Sequence, residues 1–120
     1  MGDWAAAMMT VLPPHIEAVM TFLSTEEGGR KMPVFSGYRP QFHYQGDDWD
    51  AIHTYINVEQ VNPGDTVTAQ LRFVRPQFHV VRIAVGMEFL IREGNRTVAT
   101  GRVTKIFDLE ENAARRWDKS

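Results

Sequence analysis

Four histidines and a tight group of aspartates are the residues in this chain best suited to chemistry. The histidines are His15, His43, His53 and His79. None stands at the i, i+4 or His-x-His spacing from which metal sites are built. His43 and His53 could face one another across paired strands, although partly exposed histidines on a strand surface are the commoner outcome. Asp47, Asp48 and Asp50 follow Gly46. A calcium loop would need further oxygen ligands and a late glutamate, and that pattern is missing, so a solvated hairpin loop is the better account. Gly28-Gly29-Arg30-Lys31 has the outline of an anion nest, but it leads to Pro33 and a strand rather than to a helix. A phosphate loop of glycines followed by lysine and serine or threonine is absent, as is a nucleophile elbow. These residues imply no nucleotide hydrolysis, no catalytic group, no metal and no cofactor.

The elements that would carry these side chains read as short strands. From Ile16 to Leu23 the apolar positions Ile16, Ala18, Met20 and Phe22 share one face. Strand character returns at Val34-Phe35, from Pro40 to Tyr44, and from Ala51 to Val58, with Gly46-Asp47-Asp48 breaking the chain. Asn62-Pro63-Gly64-Asp65 is a turn, because Pro fixes φ and Gly supplies a positive φ. Thr66 to Val74 then alternates, with Val67, Ala69, Leu71 and Phe73 inward. Val80 to Ile91 holds two apolar stretches split by Gly86. Gly94-Asn95 reads as a hairpin turn before a last strand from Thr97 to Phe107. Gly101 inside that strand suggests a bulge or a barrel corner. Six or more short strands without a helical pattern between them imply an all-β closed barrel or sandwich. Residues 1–15 read as a leader outside the core, ending at Pro13-Pro14, and residues 108–120 as a short helical tail. Arg39-Pro40-Gln41-Phe42-His43 recurs as Arg75-Pro76-Gln77-Phe78-His79, which we take as coincidence or as two strands that begin with the same X-Pro geometry.

A chain of 120 residues with 43% hydrophobic side chains is enough for one domain and one core. The formal charge of −2 argues against a dedicated nucleic-acid binder. Its distribution is uneven. Arg72 to Lys105 contains seven basic residues and two acids, whereas His43 to Asp65 contains five acids and no Lys or Arg. Solvated strand faces account for this, or a bipolar surface that orients a charged partner. There is no cysteine, no apolar run of membrane-spanning length and no basic region ahead of Ala5 to Met9, so a cytoplasmic location is expected.

Two segments are more specific. One is Glu26-Glu27-Gly28-Gly29-Arg30 with Pro33 to Phe42, and the other is Ile91 to Val98 continuing through Gly101 to Ile106. With Asn62-Pro63-Gly64-Asp65 between them, they resemble the C-terminal domain of elongation factor Tu over roughly residues 16–107. The resemblance implies a six-stranded antiparallel closed β-barrel with no chemistry of its own. It implies a binding domain that grips the T-stem of tRNA or meets other translation proteins, with neither nucleotide nor membrane as partner. The family's T-stem positions fall on Arg30, Gln41, Arg75 and Gly94, and Lys31 adds charge beside Arg30. A protein-interaction module or mimic of the barrel, without RNA binding, is the alternative. The chain departs from the family pattern at Gln45 to Ala51, where carboxylates would oppose RNA phosphates. It also departs at Pro76 to Gly94, which is longer than the family's segment.

Overall fold

The computed structural model describes residues 13–107. Their strands are β1 (Ile16–Phe22), β2 (Val34–Phe35), β3 (Gln41–Tyr44), β4 (Asp47–Tyr55), β5 (Gln60–Val61), β6 (Thr66–Phe73), β7 (Glu88–Glu93) and β8 (Arg96–Ile106). Six of them close into a barrel in the order β1-β6-β4-β3-β7-β8, and β2 pairs with β5 as a separate ribbon. Every pairing is antiparallel.

Period-two alternation explains most of the barrel wall. Ile16, Ala18, Met20 and Phe22 of β1 point inward and are buried, as are Val67, Ala69, Leu71 and Phe73 of β6. The pairing Ile16↔Leu71 through Met20↔Val67 sets these two faces side by side. Phe42 sits at the centre of the core. Its ring is stacked on Phe89 at 4.3 Å and meets Phe73 edge-on at 5.0 Å. Such pairs add about 0.5–1.5 kcal/mol each beyond their buried area.

Two bulges shape β8. Against β1 the register slips between Glu17↔Lys105 and Ala18↔Val103, leaving Thr104 unpaired, and its hydroxyl donates to the Glu17 carbonyl at 3.2 Å. Against β7 it slips between Ile91↔Ala99 and Arg92↔Thr97, leaving Val98 as the extra residue, so Val98 and Ala99 are both buried. Gly101, expected at a bulge or a barrel corner, lies in regular register between Met20 and Phe89, so it marks no bulge. Its hydrogen instead makes room for the Phe89 ring, because a Cβ there would overlap that ring, with Cε1 at 2.7 Å.

Three sequence expectations change at the loops. The chain reverses at Gln45-Gly46, with φ of 51° and 84°, as a two-residue turn with both φ values positive. Asp47 to Asp50 therefore begin β4 rather than forming a loop. The run Val80 to Met87 is not a strand. It belongs to a segment that opens with a 3-10 turn at Pro76–Phe78 and lies against the barrel end. There His79 stacks on Phe73 at 4.0 Å and Ile83 is buried. Gly86 N–H donates to the Val103 carbonyl and Val103 N–H to the Met87 carbonyl, which fastens this segment to β8. The repeated Arg-Pro-Gln-Phe-His sequence thus forms a strand once and a 3-10 turn once.

Pro13 to His15 lie within the described residues. His15 is buried, its N–H donates to the Leu71 carbonyl, and its Nδ1 accepts from the Phe73 N–H at 2.9 Å. The rest of the expected leader and the helical tail from Asp108 lie outside the described residues.

Candidate functional site

The histidines sort themselves first. His15, His53 and His79 are buried to 3% exposure or less, against the expectation of partly exposed side chains. Tyrosine hydroxyls, one on the same strand and one on another, make this possible. His53 Nδ1 meets the Tyr55 hydroxyl at 3.0 Å, and His79 Nδ1 meets the Tyr44 hydroxyl at 2.6 Å. Burial lowers the His53 pKa to about 3. Burial, with Arg82 and His15 nearby, lowers that of His79 to about 4. Both rings are therefore neutral at pH 7. His43 and His53 do not face one another, since His43 pairs with Asp48 and Leu90 whereas His53 pairs with Leu71. His53 is therefore apart from His43 and Asp48, which pair with each other. No group of three or more metal-ligating side chains occurs among the described residues.

The acidic cluster is not bare. Asp48 Oδ1 lies 2.8 Å from His43 Nδ1, and its Oδ2 lies 3.6 Å from Arg92. Asp50 meets Arg39 at 3.2 Å, and Asp47 meets Arg82 at 4.0 Å. Basic side chains from β3, β7 and two connecting segments thus hold a run of aspartates in a strand, where they are normally disfavoured. Exposed pairs of this kind contribute at most about 1 kcal/mol each, but they cancel charge locally.

The five residues singled out from the resemblance fall in two groups along one band of the wall. Arg30 and Gly94 are joined through Glu93. Its carboxylate receives the Arg30 guanidinium and the Tyr38 hydroxyl, and Arg96 approaches it at 3.9 Å. Burial opposes the charge on Arg30, but Glu93 outweighs it and raises the pKa. The Arg30 guanidinium also lies over the Tyr38 ring at 5.3 Å. Gly94, at φ 62°, takes the first position of the β7–β8 turn and is exposed. Lys31 is exposed beside Arg30.

Gln41 and Arg75 form the second group. Gln41 pairs with Arg92 on β7 and with Asp50 on β4, which places it between the Gly94 turn and the acidic strand start. Val74 N–H donates to the Asp50 carbonyl at 3.1 Å, which brings Arg75 to the same place. Gln41 and Arg75 both line a cavity of about 280 Å³. Arg75 is exposed and makes no ion pair within 4.0 Å among the described residues.

Sequence reasoning singled out His79 but not Trp49, Phe78 and Arg82, which pack around it. Trp49 stacks on Phe78 at 5.6 Å and meets His79 edge-on at 4.8 Å. Arg82 lies over Tyr44 at 4.9 Å and donates to the Gln45 Oε1 from Nε and Nη2. The two stretches that depart from the family pattern, Gln45 to Ala51 and the segment after Pro76, therefore pack on each other. Trp49 Nε1, His79 Nε2 and Gln41 Oε1 are buried without a hydrogen-bond partner among the described residues. Each such group costs about 1–3 kcal/mol unless something meets it. No helix among the described residues is long and apolar enough to cross a membrane.

The closed antiparallel six-strand barrel, with its Gly94-Asn95 turn after β7 and its Asn-Pro-Gly-Asp turn before β6, agrees with a comparison against protein families. The family model for the Elongation factor Tu C-terminal domain matches residues 12–107, and the chain belongs to that family.

Proposed function

We propose that this barrel is a non-enzymatic binding module, related to translation, that grips the backbone of a structured, tRNA-like RNA stem. One observation carries the reading. The aspartates that would repel phosphate are each held by a basic partner, while Arg75 and Lys31 form no ion pair among the described residues. A double-stranded stem is read by shape, phosphate and 2′-hydroxyl, for which cations, an amide and exposed backbone suffice. Arg75 and Lys31 supply phosphate contacts, Arg30 a guanidinium oriented by Glu93, Gln41 an amide, and Gly94 a backbone without side chain. The chain contributes no GTPase chemistry, since it has no phosphate loop.

Gel-shift titration with tRNA at about 50 mM salt, where phosphate contacts are strongest, tests this. Arg75→Ala and Lys31→Ala each weaken binding and flatten its salt dependence by about one counterion. Absence of any shift at that salt removes the RNA reading.

A second reading, a protein-interaction module that meets a translation factor or mimics the family's barrel, has its own support. Phe78, Val81 and Val85 are exposed by 45%, 94% and 63%, and Val81 holds a φ of 61°. A β-branched residue in that conformation is an outlier that sequence does not normally tolerate.

A further inference from the structure

The segment between β6 and β7 is apolar on both of its sides. His79 and Ile83 are buried against the barrel, whereas Phe78, Val81 and Val85, which alternate with them, are exposed. These are three of the seven exposed large hydrophobic side chains among the described residues. Val81 holds its almost fully exposed side chain at a φ of 61°, a conformation that a β-branched residue keeps only where its surroundings impose it. An apolar run with no polar side belongs to chain that lies between two layers. The barrel is one layer.

The point at which the chain enters the barrel identifies the other. The segment crosses the barrel end where β1 begins and β8 finishes. There Gly86 N–H donates to the Val103 carbonyl, and Val103 pairs with Ala18. His15 stacks on Phe73 at 6.1 Å, and Phe73 stacks on His79 at 4.0 Å. Residues 1–12 are therefore tethered at Pro13, close to His15 and only two ring contacts from His79. They carry Trp4, Met8, Met9, Val11 and Leu12, and their one charged side chain is Asp3. Twelve residues reach up to about 40 Å when extended, more than this distance requires. Tethering presents them at an effective concentration on the order of millimolar.

Other occupants fit worse. Residues 108–120 start from the same end, since the Phe107 N–H donates to the His15 carbonyl, but seven of their thirteen side chains are charged. A second copy needs roughly 800 Å² of contact on each partner, more than three side chains on one segment present. Met32, Phe35 and Val58 are also exposed, but they flank the β2–β5 ribbon. That ribbon leads into β6 at Thr66, which pairs with Thr21 at the end of β1 far from Pro13.

We propose that residues 1–12 dock on the outer side of this segment, with Trp4 and the two methionines packed on Phe78, Val81 and Val85. This does not rest on RNA binding. It gives the side chains that support the second reading an occupant within the chain, so an outside protein reaches them only by displacing residues 1–12.

The test follows the indole N–H resonances of Trp4, Trp49 and Trp117 in the full ¹⁵N-labelled chain, assigned with Trp4→Phe and Trp117→Phe. The Trp4 resonance is expected away from its position in concentrated urea. Val81→Ser combined with Val85→Ser is expected to return it there. Both positions are exposed, so this variant is expected to fold, and the amide resonances of β1 and β6 report whether it does. In the reciprocal variant, Trp4→Ser, the amide resonances of Val81 and Val85 are expected to shift while those of Phe35 and Val58 stay in place. A Trp4 resonance already at its urea position, or one that the double serine variant leaves unmoved, overturns the proposal. Reciprocal shifts at Phe35 and Val58 in place of Val81 and Val85 overturn it by putting the segment on the ribbon. Release of Trp117 in place of Trp4 makes residues 108–120 the occupant, and a Trp4 shift that is lost on dilution makes it a second copy; either result also overturns the proposal. Gel shifts with tRNA are a separate reading, and their failure leaves this result standing.

Discussion

Acidification between pH 7 and pH 5 should destabilise this barrel through two buried histidines, His53 and His79. Their folded-state pKa values are lowered to about 3 and about 4, chiefly by burial. In the unfolded chain both imidazoles titrate near the ordinary histidine value of about 6.5. Below that pH the unfolded state binds protons that the folded state refuses, so stability falls as pH falls. The loss continues until the folded rings protonate, near pH 4 for His79 and pH 3 for His53. At pH 5 each histidine removes about 2 kcal/mol relative to pH 7, about 4 kcal/mol together. That is a large share of the roughly 5–15 kcal/mol that holds a domain folded. Glu27, whose pKa is lowered by hydrogen bonds from Ser24, contributes only below its ordinary value and stays out of this window. Urea denaturation at pH 7, 6 and 5 measures the effect, and the same series on His53→Asn with His79→Asn isolates its source. The double variant should be less stable at pH 7 but lose little more on acidification. If the wild-type chain and the double variant lose equal stability between pH 7 and pH 5, the assignment to these histidines is wrong.

Two further perturbations probe the wall and the loop. Gly101→Ala should cost about 1–3 kcal/mol in urea denaturation, because its Cβ overlaps the Phe89 ring, and Phe89→Leu in the same chain should recover part of it. Arg82→Ala removes two hydrogen bonds to Gln45 and the cation over Tyr44, the latter contributing about 0.5–1 kcal/mol. Amide exchange should then accelerate at His79 and Ile83 while Ala69 and Leu71 in β6 stay protected; uniform acceleration would show that the segment does not move by itself.

The barrel was legible in the sequence where one strand face is buried and the other wet. Residues 16–22 and 66–73 alternate, and their inward sets are the buried sets. The start of β4 was not, because aspartates at Asp47, Asp48 and Asp50 argue locally for a loop. Their partners Arg82, His43, Arg92 and Arg39 lie on other parts of the chain. Histidine burial was hidden for the same reason, since a tyrosine hydroxyl on a neighbouring position or strand decides it. The repeated pentapeptide shows the limit most directly, as one copy pairs with β4 and β7 while the other winds into a 3-10 turn over the barrel end. The cavity has no local signal, since Gln41, Trp49, Arg75 and His79 converge only after β3, β4 and β6 have closed. Arg30, Lys31, Gln41, Arg75 and Gly94 were singled out by likeness to a family, and the ion pair that orients Arg30 spans from the β1–β2 connection to the end of β7.

The Phe107 N–H donates to the His15 carbonyl at 2.9 Å. The described chain therefore enters and leaves the barrel at adjacent points, over a wall that has no open edge. A fold with that geometry behaves as a cassette. Sequence added at either side would start from neighbouring points, and the barrel wall itself presents no edge strand for it to pair with.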